Sequence, residues 1–185
     1  MLKKIIILCF ITSTLQVQAF SGGSGTCAID ADYVSITGMS SRFRNSNHGD
    51  YTVTSSLSEY MPGQVVELTL AGPTFTGLIF TVVDENGNNV GTFESEANIV
   101  TECTGNNTTT PPAAVVTHLS GFGNLTSYTL FWISPAQNVG KVYVLGYVLK
   151  GARGNQAQQE FFRFVRDDDS ALSIASVVVF SNGFE

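Results

Sequence analysis

Residues 62–93, PGQVVELTLAGPTFTGLIFTVVDENGNNVGTF, restrict the possible fold more than any other part of this chain. A Pro-Gly pair opens the stretch. Val65-Val66-Glu67-Leu68-Thr69-Leu70 follows, rich in β-branched residues and partly alternating, as a half-buried strand requires. Leu78-Ile79-Phe80-Thr81-Val82-Val83 forms a second run, and Asp84-Glu85-Asn86-Gly87-Asn88-Asn89 is its polar turn. Asn86-Gly87 supplies the two positive-φ positions of a tight hairpin. Val90 to Phe93 then resumes an extended path, so the stretch reads as a β-meander around which the rest is arranged.

No helical period appears elsewhere. Strands are expected at Tyr33–Thr37, Tyr51–Thr54, Asn98–Cys103, Ala113–Ser120, Ser127–Ser134, Lys141–Lys150, Phe161–Arg166 and Leu172–Phe180. Polar loops separate them, among them Gly38–Asp50, Thr104–Pro112 with its two adjacent prolines, and Gly151–Gln159. Many short strands between Gly, Pro and Asn turns indicate an all-β antiparallel sandwich. With 43% hydrophobic and 13% charged residues the chain can bury a core, and its 185 residues suit one domain. A formal charge of −6 argues against nucleic acid as a partner.

The first residues read as an export signal. Lys3-Lys4 precede an apolar segment from Ile5 to Leu15, and Val17-Gln18-Ala19 offers the small residues that signal peptidase reads. The expectation is a signal peptide over 1–19, a sandwich domain over 20–168 and a C-terminal strand or tail over 169–185. An N-terminal membrane anchor is the competing reading, but the apolar run is shorter than the ~20 residues that span a bilayer. Leu172–Phe180 is likewise too short, so no transmembrane span is expected after cleavage. Cys9 leaves with the signal. Cys27 and Cys103 remain, and an even pair in an exported chain favours one disulfide over a metal pair, since no further Cys or His lies close by in sequence.

Catalytic chemistry is thin. No G-x-S-x-G occurs, and the two histidines, His48 and His118, have no triad around them in sequence. His118 stands in a strand-like run where alternation turns Val116 and His118 to one face. It is therefore a structural residue or a ligand contact. Trp132, among Leu130, Phe131 and Ile133, suits the core, with sugar stacking as the alternative. Asp167-Asp168-Asp169 reads as a solvated turn rather than a cation site. Asp84-Glu85-Asn86-Gly87 resembles part of a calcium loop but lacks the later acid, and a hairpin turn accounts for it. No metal, no cofactor and no catalytic residues are expected. Asn106, Asn107 and Asn124 head glycosylation acceptor triplets, whereas the ending VFSNGFE looks like that of some exported bacterial proteins.

Taken in order, Tyr51-x-Val53, Pro62-Gly63, Gly77 with Phe80, Val90-Gly91-x-Phe93, Cys103, Val116-Thr117-His118, Trp132-x-x-Pro135 and Gly140-x-Val142-Tyr143 resemble the reeler (reelin N-terminal) domain and its bacterial exported relatives. The likeness runs from about Cys27 to Val165. It implies an immunoglobulin-like β-sandwich, extracellular placement and an adhesion or recognition role without a family-wide catalytic centre. Leu78-Ile79 and Leu119 depart from the family's usual Phe and Ser. Gly25 to Asp30 also lacks the second Cys and the His of the haem-attachment segment in some bacterial relatives, so covalent haem is not expected.

The expected function is a secreted or cell-surface, non-enzymatic module whose partner is an extracellular protein or glycan. A structural envelope protein is the alternative, followed by an enzyme or cofactor-carrying accessory domain. The cysteine reading is directly testable: folded, air-oxidised mature protein should titrate no free thiol, and reduction should cost a few kcal/mol, within the usual 2–5 for a native bridge. Two free thiols would refute it.

Overall fold

Leu78 to Val83 is apolar without alternation, and such a run makes a strand covered on both faces. The computed structural model describes residues 29, 47–100, 114–119, 122–151, 160–166 and 171–177, and it places β4 (Gly77–Asp84) in that role, with Gly77 to Val83 all buried. The earlier strands are β1 (Thr52–Ser55), β2 (Glu59–Tyr60) and β3 (Val65–Phe75). After β4 come β5 (Thr92–Phe93), β6 (Ile99–Val100), β7 (Val115–His118) and β8 (Leu125–Ile133). The remainder are β9 (Val142–Lys150), β10 (Glu160–Phe164) and β11 (Leu172–Ser176).

Two sheets face each other. One has the order β1-β3-β8-β5, and the other runs β2-β11-β9-β4-β7-β6 with β10 also on β9. β4 pairs antiparallel with β9 along its whole length, from Gly77↔Leu149 to Asp84↔Val142. β10 and β11 share the far side of β9, β10 opposite residues 146–150 and β11 opposite 142–144. All pairings are antiparallel except β11 with β2. No described helix is long and apolar enough to cross a membrane.

The core lies between the sheets. β3 alternates as its sequence demands, sending Val66, Leu68 and Leu70 inward while Val65 and Glu67 stay exposed. β8 contributes Leu130 and Trp132. Opposite them stand Leu78, Phe80 and Val82 of β4, Val142, Val144 and Val148 of β9, and Ile174 of β11. Aromatic edges interlock across the gap: Tyr60 meets Trp132 at 5.6 Å between ring centroids, and Phe75 meets Phe122 at 6.0 Å, both T-shaped. On the outer face of the larger sheet Ile79, Val115 and Tyr147 form a second cluster, against which Ile29 packs.

The meander expected for residues 62–93 is not what forms. β3 and β4 belong to different sheets, and β5 returns to pair with β8. The chain crosses between sheets at Thr76, whose N–H donates to the Leu149 carbonyl at 2.8 Å and whose own carbonyl accepts from Phe122 N–H at 3.0 Å. Burial explains the split. A run with one apolar face suits the sheet whose outer face meets water, while a run apolar on both faces needs cover on both sides.

The turn after β4 also differs from the two-residue hairpin. Positive φ falls on Gly87 (84°) and not on Asn86. Gly87 N–H donates to the Asp84 carbonyl at 3.1 Å, and Asp84 N–H to the Asn88 carbonyl at 2.9 Å. That is a type I turn followed by a left-handed glycine. The Asp84 carboxylate selects it by accepting from the N–H groups of Asn86 (2.9 Å) and Asn88 (2.8 Å). The Pro62-Gly63 entry forms the type II turn its sequence suits, with Gly63 at φ 71° and Gln64 N–H on the Met61 carbonyl at 3.2 Å. Glu59–Tyr60 is a strand that the sequence did not signal. The expected strand at Tyr33–Thr37, both mature cysteines, and Asp167–Asp169 lie outside the described residues.

Gly146 shows how closely β9 and β4 are packed. A Cβ there would strike the Phe80 ring and come 2.5 Å from the Ile79 carbonyl oxygen. Gly146→Ala should therefore cost about 1–3 kcal/mol, the usual range for overpacking. Gly123→Ala, where nothing lies within 4 Å, should be nearly neutral. Chemical denaturation compares the two, and equal midpoints would contradict this packing.

Candidate functional site

The β4–β7 ladder ends at Ile79↔Thr117, which leaves the buried backbone of Leu78 one residue short of a strand partner. Two side chains take the place of that partner. Thr117 Oγ1 donates to the Leu78 carbonyl at 2.9 Å, and Leu78 N–H points to His118 Nδ1 at 3.2 Å. Nδ1 also lies 3.1 Å from the Leu78 carbonyl. Because Thr117 already serves that oxygen, the neutral tautomer with Nδ1 as acceptor satisfies both backbone groups. This proton placement is assigned from the network.

His118 is 2% exposed, with Phe122 at 6.0 Å between ring centroids. Burial pushes its pKa below the ordinary 6.5, opposed in part by the Leu78 carbonyl. Gly77 makes room for the ring, since a Cβ there would come 2.6 Å from His118 Cε1. A ring so enclosed presents almost no surface to a ligand.

Trp132 is more enclosed still, at 0% exposure. Its Nε1–H donates to the Val90 carbonyl at 3.1 Å, and Gly91 lies so close that a Cβ would sit 2.5 Å from Nε1. Both indole faces are spent on packing, so no sugar can stack there. His48 is tied by Nδ1–H to the Tyr51 carbonyl at 2.7 Å and stacks on Phe164 at 5.7 Å. Asp84 is used by its own turn. Burial nudges its pKa upward, but hydrogen bonds from Asn88 and Asn86 outweigh that and hold it below the ordinary carboxylate value. Among the described residues no three His, Cys, Asp or Glu side chains gather in a metal-holding group.

A different place on the surface is open. At the start of β9 a cleft of about 270 Å³ is lined by Lys141, Tyr143, Arg166, Ala171 and Ser173. Register builds it: Lys141 immediately precedes β9, two residues before Tyr143, and Ser173 of β11 stands directly opposite Tyr143. Arg166 enters just after β10, where the edge of β9 passes from β10 to β11. The sequence singled out Tyr143 but neither cation, because β9, β10 and β11 converge only in three dimensions.

The family model of the Reeler domain matches residues 36–153, well over half of the chain. The chain belongs to the Reeler domain family. Solved structures agree on the fold. The human F-spondin reeler domain superimposes with a TM-score of 0.57 at 16% identity, covering 75% of this chain and 95% of that one. A second fragment of the same human domain gives 0.55 at 17%, over 75% and 96%. The Reelin-N domain of F-spondin gives 0.54 at 17%, over 72% and 91%. No curated protein matches the chain.

Within the Reeler pattern, Gly77 and His118 meet in space, as do Val90-Gly91 and Trp132. His118 can be tested through proton linkage. Its depressed folded pKa means that the unfolded chain takes up the proton first, so stability is full above about 6.5 and is lost as pH falls through the folded value. Urea midpoints between pH 7.5 and 5 should fall for the native chain. His118→Phe should be destabilised by about 1–3 kcal/mol at neutral pH, because Leu78 N–H loses its acceptor, and should show a shallower pH slope. Identical slopes would refute the assignment.

Proposed function

We propose that this Reeler-family chain is an exported, non-enzymatic recognition or adhesion module whose partner is an extracellular protein or glycan. The observation that carries the reading is the Reeler match over 36–153 together with a sandwich whose histidines and tryptophan are absorbed by backbone and core. Lys3-Lys4, the apolar segment after them and Val17-Gln18-Ala19 support export. Likeness to the reeler domains of F-spondin supports the sandwich scaffold on which such a module would be built.

The proposed Cys27–Cys103 bridge fits this compartment. Ile29, two residues after Cys27, packs on Ile79 and Val115 of the larger sheet, and β6 at the edge of that sheet ends three residues before Cys103.

Two measurements test the proposal on the full chain expressed in a secreting host. Intact mass of exported material should give a mature protein beginning at Phe20, and the same material should bind saturably to members of an extracellular protein and glycan array. Retention in the cytoplasm with residues 1–19 attached would reject it, as would an array without a saturable partner.

A further inference from the structure

The cleft beside Tyr143 holds positive charge in an otherwise acidic protein, and among the described residues no carboxylate neutralises it. Lys141 Nζ lies 5.0 Å from the Tyr143 ring centroid, and no hydrogen bond or carboxylate partner reaches it among the described residues. Arg166 Cζ stands 5.4 Å from the same centroid. Its Nη1 donates to the Glu85 carbonyl at 2.9 Å and reaches the Asp84 carbonyl at 3.4 Å. These neutral acceptors fix the guanidinium in place without cancelling its charge. The ion pair of the described residues, Lys150 with Glu160, lies at the other end of β9.

We infer that this cleft is a seat for a single carboxylate presented by a peptide segment of an extracellular partner protein. Two cations with a hydroxyl at Ser173 match the acceptors of one carboxylate group. Size points the same way, because about 270 Å³ falls just below the ~300–1,000 Å³ of sites that enclose a whole small ligand. One acidic side chain or one chain terminus fits that volume. Charge decides against a polyanion: a sulfated glycan or nucleic acid needs a continuous basic track, whereas this chain carries 9 Lys and Arg against 15 Asp and Glu. A lone carboxylate on a peptide needs only the local field. The inference rests on the recognition reading above and names the chemistry of its partner.

The test is nuclear magnetic resonance titration of the exported protein with four probes. One is a short peptide with a single Glu and both termini blocked. A second has a free C-terminal carboxylate and no acidic side chain, a third is the first with Gln for Glu, and the fourth is heparin. Either carboxylate peptide should shift the signals of Lys141, Tyr143 and Ser173 saturably, and which one binds more tightly tells side chain from terminus. The Gln peptide should not shift them. Lys141→Gln is the diagnostic variant, since its ammonium makes no hydrogen bond to another described residue. It should weaken binding by roughly fivefold, the upper end for a solvent-accessible ion pair, and added salt should weaken it further.

The inference is overturned if the native chain shows no saturable shift in the cleft, including the case in which the acids at 167–169 already answer its charge. Equal binding of the Gln peptide, unchanged binding by Lys141→Gln, or heparin as the sole binder would overturn it too. Such a failure leaves the recognition reading standing, because the array binding is measured separately.

Discussion

The ladder between β4 and β9 is the constraint on which the rest of the structure depends. Both strands are buried almost throughout, so every backbone N–H and C=O along them must find a partner inside the protein. Each supplies the partners along one side of the other. β7 covers the other side of β4 only as far as Thr117, and the side chains of Thr117 and His118 finish the task at Leu78. The close approach of the ladder is built on Gly146, which leaves space for Phe80. Once this pair is fixed, β10 and β11 can only divide the remaining edge of β9 between them, and the cleft opens where they meet.

The scattered family motif has one physical explanation. Several of its described pieces are halves of long-range joints. Pro62-Gly63 is tied to the chain after β8 by Gly63 N–H on the Pro135 carbonyl at 3.1 Å, reinforced by Ser134 Oγ–H on the Met61 carbonyl at 2.7 Å. Gly77 receives His118, and Val90-Gly91 receives Trp132. Gly140 accepts the Tyr60 hydroxyl at 2.7 Å. A buried polar group that loses its partner costs about 1–3 kcal/mol, so each joint constrains two sequence positions at once. These residues hold the scaffold together, and recognition is left to the surface that the scaffold displays.

Charge is distributed by the same logic. The chain is acidic as a whole, yet Lys141 and Arg166 flank one tyrosine on the outer face of the larger sheet. Cation–π attraction, worth about 0.5–1 kcal/mol at exposed sites, holds them near the ring without neutralising them. Carbonyls of the Asp84–Gly87 turn orient Arg166, so a turn that resembled a calcium-loop fragment serves instead to aim a cation.

Local pattern was enough to determine that this chain forms strands, where most of them run, and that Trp132 suits the interior. Alternation in Val65–Leu70 and unbroken apolarity in Leu78–Val83 record how many faces each strand buries, and burial acts residue by residue. The sequence also displayed the Pro62-Gly63 turn, because proline and glycine set their own backbone angles. Pairing was not legible. That β3 and β4 part into separate sheets and that Glu59–Tyr60 joins β11 in parallel depend on partners far along the chain, and that Gly87 rather than Asn86 takes positive φ depends on the Asp84 carboxylate. The cleft belongs to that second class. Lys141, Arg166 and Ser173 carry no signal as separate residues, and only the register of β9 against β11 and the exit of β10 bring their charges and hydroxyl to one place.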